Sequence, residues 1–144
     1  MTTTLPAVAT ITVQKINRRQ RVEILSMHFG RLHLIAESMI YTQLRQLSDD
    51  YQRGHWEFYQ LSNGGFYMMP DEAEAPEKLT LYHVKHCFKG QMSAEAAGIV
   101  ASLLVFKQLY YQTWDAHLAQ LKQCLQDYAV SHPEAELIFN VARK

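Results

Sequence analysis

Cysteine is scarce in this chain: two residues, Cys87 and Cys124, among 144. That excludes a disulfide-stapled scaffold. Net charge is missing as well, because 14 Lys and Arg face 14 Asp and Glu. A strongly basic nucleic-acid binder needs a surplus of cations to neutralise phosphates, and none exists. An acidic imitation of DNA is excluded by the same count. B-DNA carries about one negative charge per 1.7 Å, so even ten base pairs require roughly 20 net carboxylates on one face. Long hydrophobic runs are absent too. The longest, from Ile99 to Phe106, is interrupted by a serine, whereas a membrane span needs about 20 apolar residues. Residues 1–9 lack a basic run followed by an apolar stretch, so they read as no secretory signal, and the expectation is a soluble, cytoplasmic protein. Neither GxGxxG nor GxxxxGK[ST] occurs, which disfavours the common glycine-loop nucleotide sites.

What is present fits one globular domain. Hydrophobic residues make up 48% and charged residues 19% of the chain, enough apolar surface for a core without metal or disulfide staples. Residues 1–14 read as a flexible tail, with a short edge strand over 9–13 allowed by β-branched residues, and residues 15–144 as a single domain. Asn17 is placed to cap a helix bearing the apolar row Val22, Leu25 and Phe29 and ending at Gly30. Leu32, Ala36, Ile40, Leu44 and Leu47 repeat at fours and threes, one face of a second helix. The period then changes. The aromatic run His55 to Leu61, the string Ser62-Asn63-Gly64-Gly65 and the run Phe66 to Met69 predict a β-hairpin whose turn takes positive φ at both central positions. Leu79 to Val84 alternates and supplies the third strand, Phe88 to Met92 reads as a connector, and helices cover one sheet face. Ser93 caps a helix from Ala94 to about Tyr111 that is apolar nearly all round, with Ala94, Ala97, Gly98 and Ala101 small enough for close approach. A helix from Trp114 to Val130 follows a turn near Gln112 and Thr113, and a last short helix starts at Pro133 and runs through Phe139. The predicted class is α+β: a small antiparallel sheet, hairpin plus third strand, packed against a bundle of about four to five helices.

The residues offer little chemistry. His83, His86 and Cys87, completed by Cys124 or His55, form the one metal set worth testing. In a strand, His83 and an in-strand residue 86 face opposite ways, and the spacing matches no zinc finger or ribbon. A cysteine beside a histidine is expected by chance in a chain with seven histidines, and Ser62 lacks the GxSxG setting of a nucleophile. Asp49-Asp50 and Asp71-Glu72 lie in polar turns with no source for raised pKa values. No catalytic residue, metal or cofactor is assigned. Lys15, Arg18, Arg19 and Arg21 are the strongest hint of nucleic-acid contact. Residues 1–53 hold seven basic and four acidic groups, and residues 54–144 hold seven and ten. This mild dipole fits either a solvated helix face or a weak DNA-contact surface. Trp56, Phe58, Tyr59, Phe66 and Tyr67 fit either sheet-core packing or a stacking platform for bases.

Three segments carry a resemblance. HWEFYQLSNGGFYMMP (His55 to Pro70), GQMSAEAAGIVASLLVFKQL (Gly90 to Leu109) and DYAVSHPEAELI (Asp127 to Ile138) occur in this order. Together with Met27-His28-Phe29-Gly30-Arg31 and Tyr51, the chain from about Arg21 to Val141 resembles the antirestriction proteins of the ArdB/KlcA type. It departs from that pattern at Met68-Met69, where a small residue before the proline is more usual, and in its N-terminal tail. The resemblance implies an α+β protein, carried on plasmids, prophages or genomic islands, that protects incoming DNA from host type I restriction enzymes. It implies no enzyme activity, no cofactor and no catalytic or metal residues to carry over.

Neutral charge and this resemblance together imply inhibition that is indirect or non-competitive, without DNA mimicry. The partner expected is a type I restriction-modification enzyme or its DNA-bound complex, with direct DNA binding weak or absent, no membrane contact and a monomeric protein. The interaction surface expected is the hairpin tip, Ser62, Asn63, Gly64 and Gly65, with the turn Asp49-Asp50 placed nearby. The alternatives are a small DNA-binding accessory module built on Lys15, Arg18, Arg19 and Arg21, and a hydrolase built on His83, His86 or the aspartate pairs.

Overall fold

Helix α3 (Ala94–Thr113) is apolar on nearly every side, and the fold is organised to bury it. The computed structural model describes residues 10–51, 54–85 and 87–142. Along the chain these residues form strand β1 (Val13–Lys15), a 3₁₀ turn (Arg18–Gln20), helices α1 (Arg21–Phe29) and α2 (His33–Leu47), and the hairpin β2 (Trp56–Leu61) and β3 (Phe66–Pro70). Strands β4 (Leu79–His83) and β5 (Phe88–Met92) follow, then α3, α4 (Ala116–Ala129) and α5 (Ala135–Ala142). The class is α+β, as predicted.

The sheets are divided differently from the expectation. The third strand beside the hairpin is β1, not the 79–84 run, and it pairs antiparallel with β2 so that Val13 faces Leu61 and Lys15 faces Tyr59. The edge strand allowed over 9–13 is displaced toward the domain, to Val13–Lys15; residues 1–9 are outside the described residues. Leu79–His83 pairs instead with Phe88–Met92, the supposed connector, in a separate two-stranded ribbon. Alternation marks a strand but does not name its partner; the segment just across a short turn closes the smaller loop.

The hairpin turn also differs. Of Asn63 and Gly64, only Gly64 has positive φ, at 91°. The Gly64 N–H donates to the Leu61 carbonyl at 3.0 Å and the Leu61 N–H to the Gly65 carbonyl at 2.9 Å. This is the three-residue loop that ends in a left-handed glycine, in place of the two-residue turn.

The small residues of α3 are used as expected. The Met68 N–H donates to Ser102 Oγ at 3.2 Å, and a methyl group on Gly98 would lie 2.3 Å from the Met68 carbonyl oxygen. Both polar groups of Met68 thus point at α3, which covers the β3 edge that β2 leaves open and removes a site for unwanted strand pairing. Helices contact both sheet faces, not one. Phe66 meets Phe29 of α1 and Phe106 of α3, while Tyr59 stacks on Tyr67 at 5.2 Å and Tyr67 on Tyr128 of α4 at 5.9 Å. Period-2 alternation supplies two apolar faces here, and each finds a helix.

Helix ends follow cap chemistry more than periodicity. Asn17 Oδ1 accepts from the Arg19 N–H, so it caps the 3₁₀ turn, and α1 starts only at Arg21. Val22, expected in the buried row, is 64% exposed, whereas Leu25 and Phe29 are buried. Ser93 Oγ accepts from the Ala96 N–H, and its own N–H and hydroxyl donate to the Glu134 carboxylate at 2.9 and 2.5 Å. That clasp ties the start of α3 to the segment leading into α5, which begins at Ala135, two residues after Pro133, and continues to Ala142. The α3–α4 corner falls at Trp114, beyond the predicted Gln112 and Thr113. Trp114 takes the left-handed conformation (φ 56°), and Asp115 caps α4 through the His117 N–H.

Candidate functional site

The hairpin tip is anchored before it is available to anything else. Ser62 and Gly64 are exposed, Asn63 is half-buried and Gly65 is buried. Asn63 Nδ2 donates to the Cys124 carbonyl at 2.9 Å, its Oδ1 accepts from the Gly65 N–H at 3.0 Å, and Cys124 Sγ donates to the Asn63 carbonyl at 3.3 Å. A Cβ on Gly65 would sit 2.9 Å from Cys124 Cβ, so the tip lies flat on α4. Ser62 Oγ accepts from the Thr12 N–H at 2.8 Å, extending the β1–β2 ladder.

Asp49 and Asp50 are not near this tip. Tyr51 accepts a hydrogen bond from the Trp56 indole N–H, which places the aspartate turn at the start of β2, whereas the tip follows its end. Six strand residues span about 17 Å. Asp50 Oδ2 accepts from the Thr80 N–H at 2.7 Å, joining the turn to β4. The expected surface is therefore two separate regions, because adjacency was inferred from exposed turns without a hairpin register.

The basic group divides in the same way. Arg21 Nη2 lies 2.9 Å and Lys15 Nζ 3.4 Å from Glu57 Oε2, and the Arg21 guanidinium stands 4.5 Å over the Phe58 ring. Glu57 gathers both cations into the β1–β2–α1 junction, leaving exposed Arg18 and Arg19 as solvated charges. Sequence reading missed Glu57, although it is the one charged residue inside the aromatic strand HWEFYQL. A charge in such a strand needs a cationic partner when the sheet packs.

His28, His117 and His132 are also committed to structure. His132 Nε2 pairs with Glu95 at 2.8 Å while its Nδ1 accepts from the Glu134 N–H at 3.0 Å, so neither ring nitrogen is free to take a substrate proton. His28 Nδ1 and His117 Nε2 share a hydrogen bond of 3.0 Å between α1 and α4. Burial first, and neighbouring His117 second, push His28 down to about 4, so it is neutral at pH 7. Among the described residues no three His, Cys, Asp or Glu side chains are grouped to hold a metal. Cys87 is exposed in the β4–β5 turn and Cys124 is buried on α4; His86 lies outside the described residues.

The cleft of about 830 Å³ beside the tip is lined by Asn63, Glu95, Asp127, Tyr128 and His132, with no Lys or Arg in its wall. Carboxylates repel phosphate, so the described part of this wall is ill-suited to a DNA backbone. A second groove, about 410 Å³, runs along the exposed side of α2 past Leu34, Ile35, Met39 and Gln108.

The comparisons with known proteins decide the family. The sequence profile described as "Antirestriction protein" matches residues 49–142. The chain belongs to the antirestriction protein family. Antirestriction protein KlcA of Escherichia coli is 37% identical over 134 residues, covering 90% of this chain and 92% of KlcA. Putative antirestriction protein YubI of Escherichia coli K12 is 33% identical over 126 residues, covering 83% and 86%. A solved structure from work on KlcA and ArdB aligns with a TM-score of 0.80 at 35% identity over 99% of both chains. Those two proteins show a novel fold and antirestriction activity against type I DNA restriction systems in vivo but not in vitro. In this antirestriction chain, the strings that carry the resemblance are packing elements: LSNGGFYM forms the tip and the strand against α3, and MSAEAAGIV caps α3 and supplies Gly98. No helix among the described residues is long and apolar enough to cross a membrane.

Proposed function

We propose that this protein protects incoming foreign DNA in a host cytoplasm by reducing the action of type I restriction endonucleases, and that it does so indirectly, without imitating DNA and without turnover. One observation carries the reading: its carboxylates are matched in number by its Lys and Arg, and most of them are tied into local hydrogen bonds of its own fold. Of the 14 Asp and Glu, Glu37, Asp50, Glu57, Asp71, Glu74, Glu95, Asp115, Asp127 and Glu134 accept internal hydrogen bonds or ion pairs. A decoy duplex needs free charges repeating at phosphate spacing. Zero net charge and carboxylates scattered among local hydrogen bonds support a mixed polar and apolar contact with the enzyme, or with its DNA-bound complex, by a monomer. Activity of KlcA and ArdB in vivo but not in vitro fits an indirect route, which is lost when a cellular component is left out.

The test is the plating efficiency of unmodified phage on a restricting host with and without this protein, expected to rise with it, alongside a methylation assay expected to show modification spared. Cleavage by a purified type I enzyme is then measured at rising inhibitor and rising DNA. Inhibition relieved in simple proportion by added DNA refutes the indirect reading. The accessory-module alternative is weaker, since Glu57 already neutralises part of the cluster it depends on.

A further inference from the structure

The sheet that holds the hairpin is closed along one edge and open along the other. Its strand order is β1-β2-β3, and α3 covers the β3 edge at Met68. In the separate ribbon, the Thr80 N–H of β4 is taken by Asp50. β1 has no such cover, and all three of its residues are exposed. The Ile16 N–H donates to the Phe58 carbonyl at 2.7 Å, and the Ser62 N–H to the Thr12 carbonyl at 2.9 Å. Even-numbered residues of this segment therefore bond inward to β2, and the N–H and C=O groups of Val13 and Lys15 point outward. No described residue bonds to them. Open edges are commonly blocked by a lysine. Lys15 does not block this one, because its ammonium is turned onto Glu57 of the neighbouring strand at 3.4 Å.

A groove of about 350 Å³ runs between β1 and α1, walled by Gln14, Ile16 and Gln60 on the sheet and by Ile24 and Met27 on the helix. The charge around it is mostly positive. Lys15 and Arg21 share the single carboxylate of Glu57, and exposed Arg18 and Arg19 follow on the 3₁₀ turn, with exposed Glu23 beside them. Main-chain donors and acceptors alternating along an edge fit another polypeptide strand, whereas a phosphate backbone offers acceptors alone.

We propose that the β1 edge binds an extended, acidic and aliphatic segment of a partner protein, added antiparallel as a further strand of this sheet. The partner residues opposite Lys15 and Val13 exchange main-chain hydrogen bonds with them. The side chain opposite Lys15 is acidic and answers the surplus of cations. The residue opposite Gln14 lies on the same sheet face as Gln14 and presents an aliphatic side chain to the groove. Strand addition here does not depend on the antirestriction reading, because its test contains no restriction enzyme.

The full chain is titrated by anisotropy against the fluorescein-labelled peptide Ser-Thr-Glu-Ile-Val-Thr-Ser, whose Glu, Ile and Val stand opposite Lys15, Gln14 and Val13 in the antiparallel register. The expected Kd is on the order of 100 µM. N-methylation of the peptide's Glu or Val removes an N–H aimed at β1 and is expected to weaken binding about tenfold. N-methylation of its Ile, whose N–H points away, is expected to change binding by less than about twofold. Val13→Pro deletes an outward N–H and leaves the bonds to β2 in place, so binding is expected to fall about tenfold while the melting temperature holds. The methylated peptides read the same geometry on the parent chain, whatever the stability of that variant. The proposal is overturned by no anisotropy change at about 1 mM protein, by equal losses from all the methylated peptides, or by unchanged affinity in folded Val13→Pro. A DNA duplex that binds more tightly and displaces the peptide overturns it and gives the face to nucleic acid. Sedimentation of a dimer that Val13→Pro dissolves overturns it and gives the edge to a second copy of the chain.

Discussion

Gly98→Ala tests the closest contact in the fold. In an ordinary helix the change stabilises by about 1 kcal/mol, because alanine has less conformational freedom to lose. Here the added methyl would meet the Met68 carbonyl oxygen at 2.3 Å and Met69 Cα at 2.6 Å, and both neighbours are backbone. Relief requires α3 to withdraw from β3 by about 1 Å, toward ordinary van der Waals separation. Overpacking of this kind costs about 1–3 kcal/mol. The same withdrawal stretches the buried Met68 N–H to Ser102 Oγ bond, already 3.2 Å long, for about 1–3 kcal/mol more. The net expectation is a loss of about 2–4 kcal/mol, a large part of the roughly 5–15 kcal/mol that a domain possesses. Urea unfolding followed by circular dichroism is expected to show a lower midpoint at unchanged slope, and the melting temperature to fall by about 8–15 °C. A variant as stable as the parent, or more so, would show that α3 does not close the sheet edge through this glycine.

Acid titrates His28. Its folded value of about 4 lies below its ordinary 6.5, so the unfolded chain binds the extra proton. Stability is complete above pH 6.5 and falls by up to about 3 kcal/mol as pH drops to 4; urea midpoints at pH 7 and pH 4.5 should converge in His28→Gln, and parallel slopes in parent and variant would contradict this. Glu57→Gln leaves Lys15 and Arg21 without their anion, and is expected to cost about 1–3 kcal/mol and to strengthen low-salt duplex binding in a mobility-shift assay; unchanged mobility would mean that Glu57 does not mask the cluster. Asn63→Ala removes bonds to Cys124 and Gly65, for an expected loss of about 1–3 kcal/mol in urea unfolding, and wild-type stability would show that the tip is not anchored on α4. Ser62→Ala and Asp50→Ala separate the two halves of the expected interaction surface. Each is expected to lower phage protection in cells at preserved protein level, and full protection by both would move the surface elsewhere.

Ser93, Asn17 and the aromatic runs around Asn63-Gly64 were legible because cap and turn chemistry acts over three or four residues. So was the close approach of α3, since a cluster of small residues in an otherwise bulky apolar helix has few other uses. Strand partners were not legible. Leu79–His83 looked like a strand on its own residues, yet nothing in its alternation distinguished the hairpin from Phe88–Met92. The α3–α4 corner was placed near Gln112 and Thr113, just short of Trp114, on length alone, because its left-handed residue is a tryptophan and the usual glycine signal is absent.

The sequence by itself determined charge neutrality, the α+β class, the hairpin and the central helix, properties that composition or short-range geometry dictates, and its motif strings carried the resemblance to antirestriction proteins. Tertiary structure alone decided that β1 completes the sheet, that Glu57 collects Lys15 and Arg21, and that the Asp49-Asp50 turn and the hairpin tip lie at opposite ends of β2. Each of these joins residues distant in the chain, and such pairings are selected by how buried faces fill space together, not by any local preference.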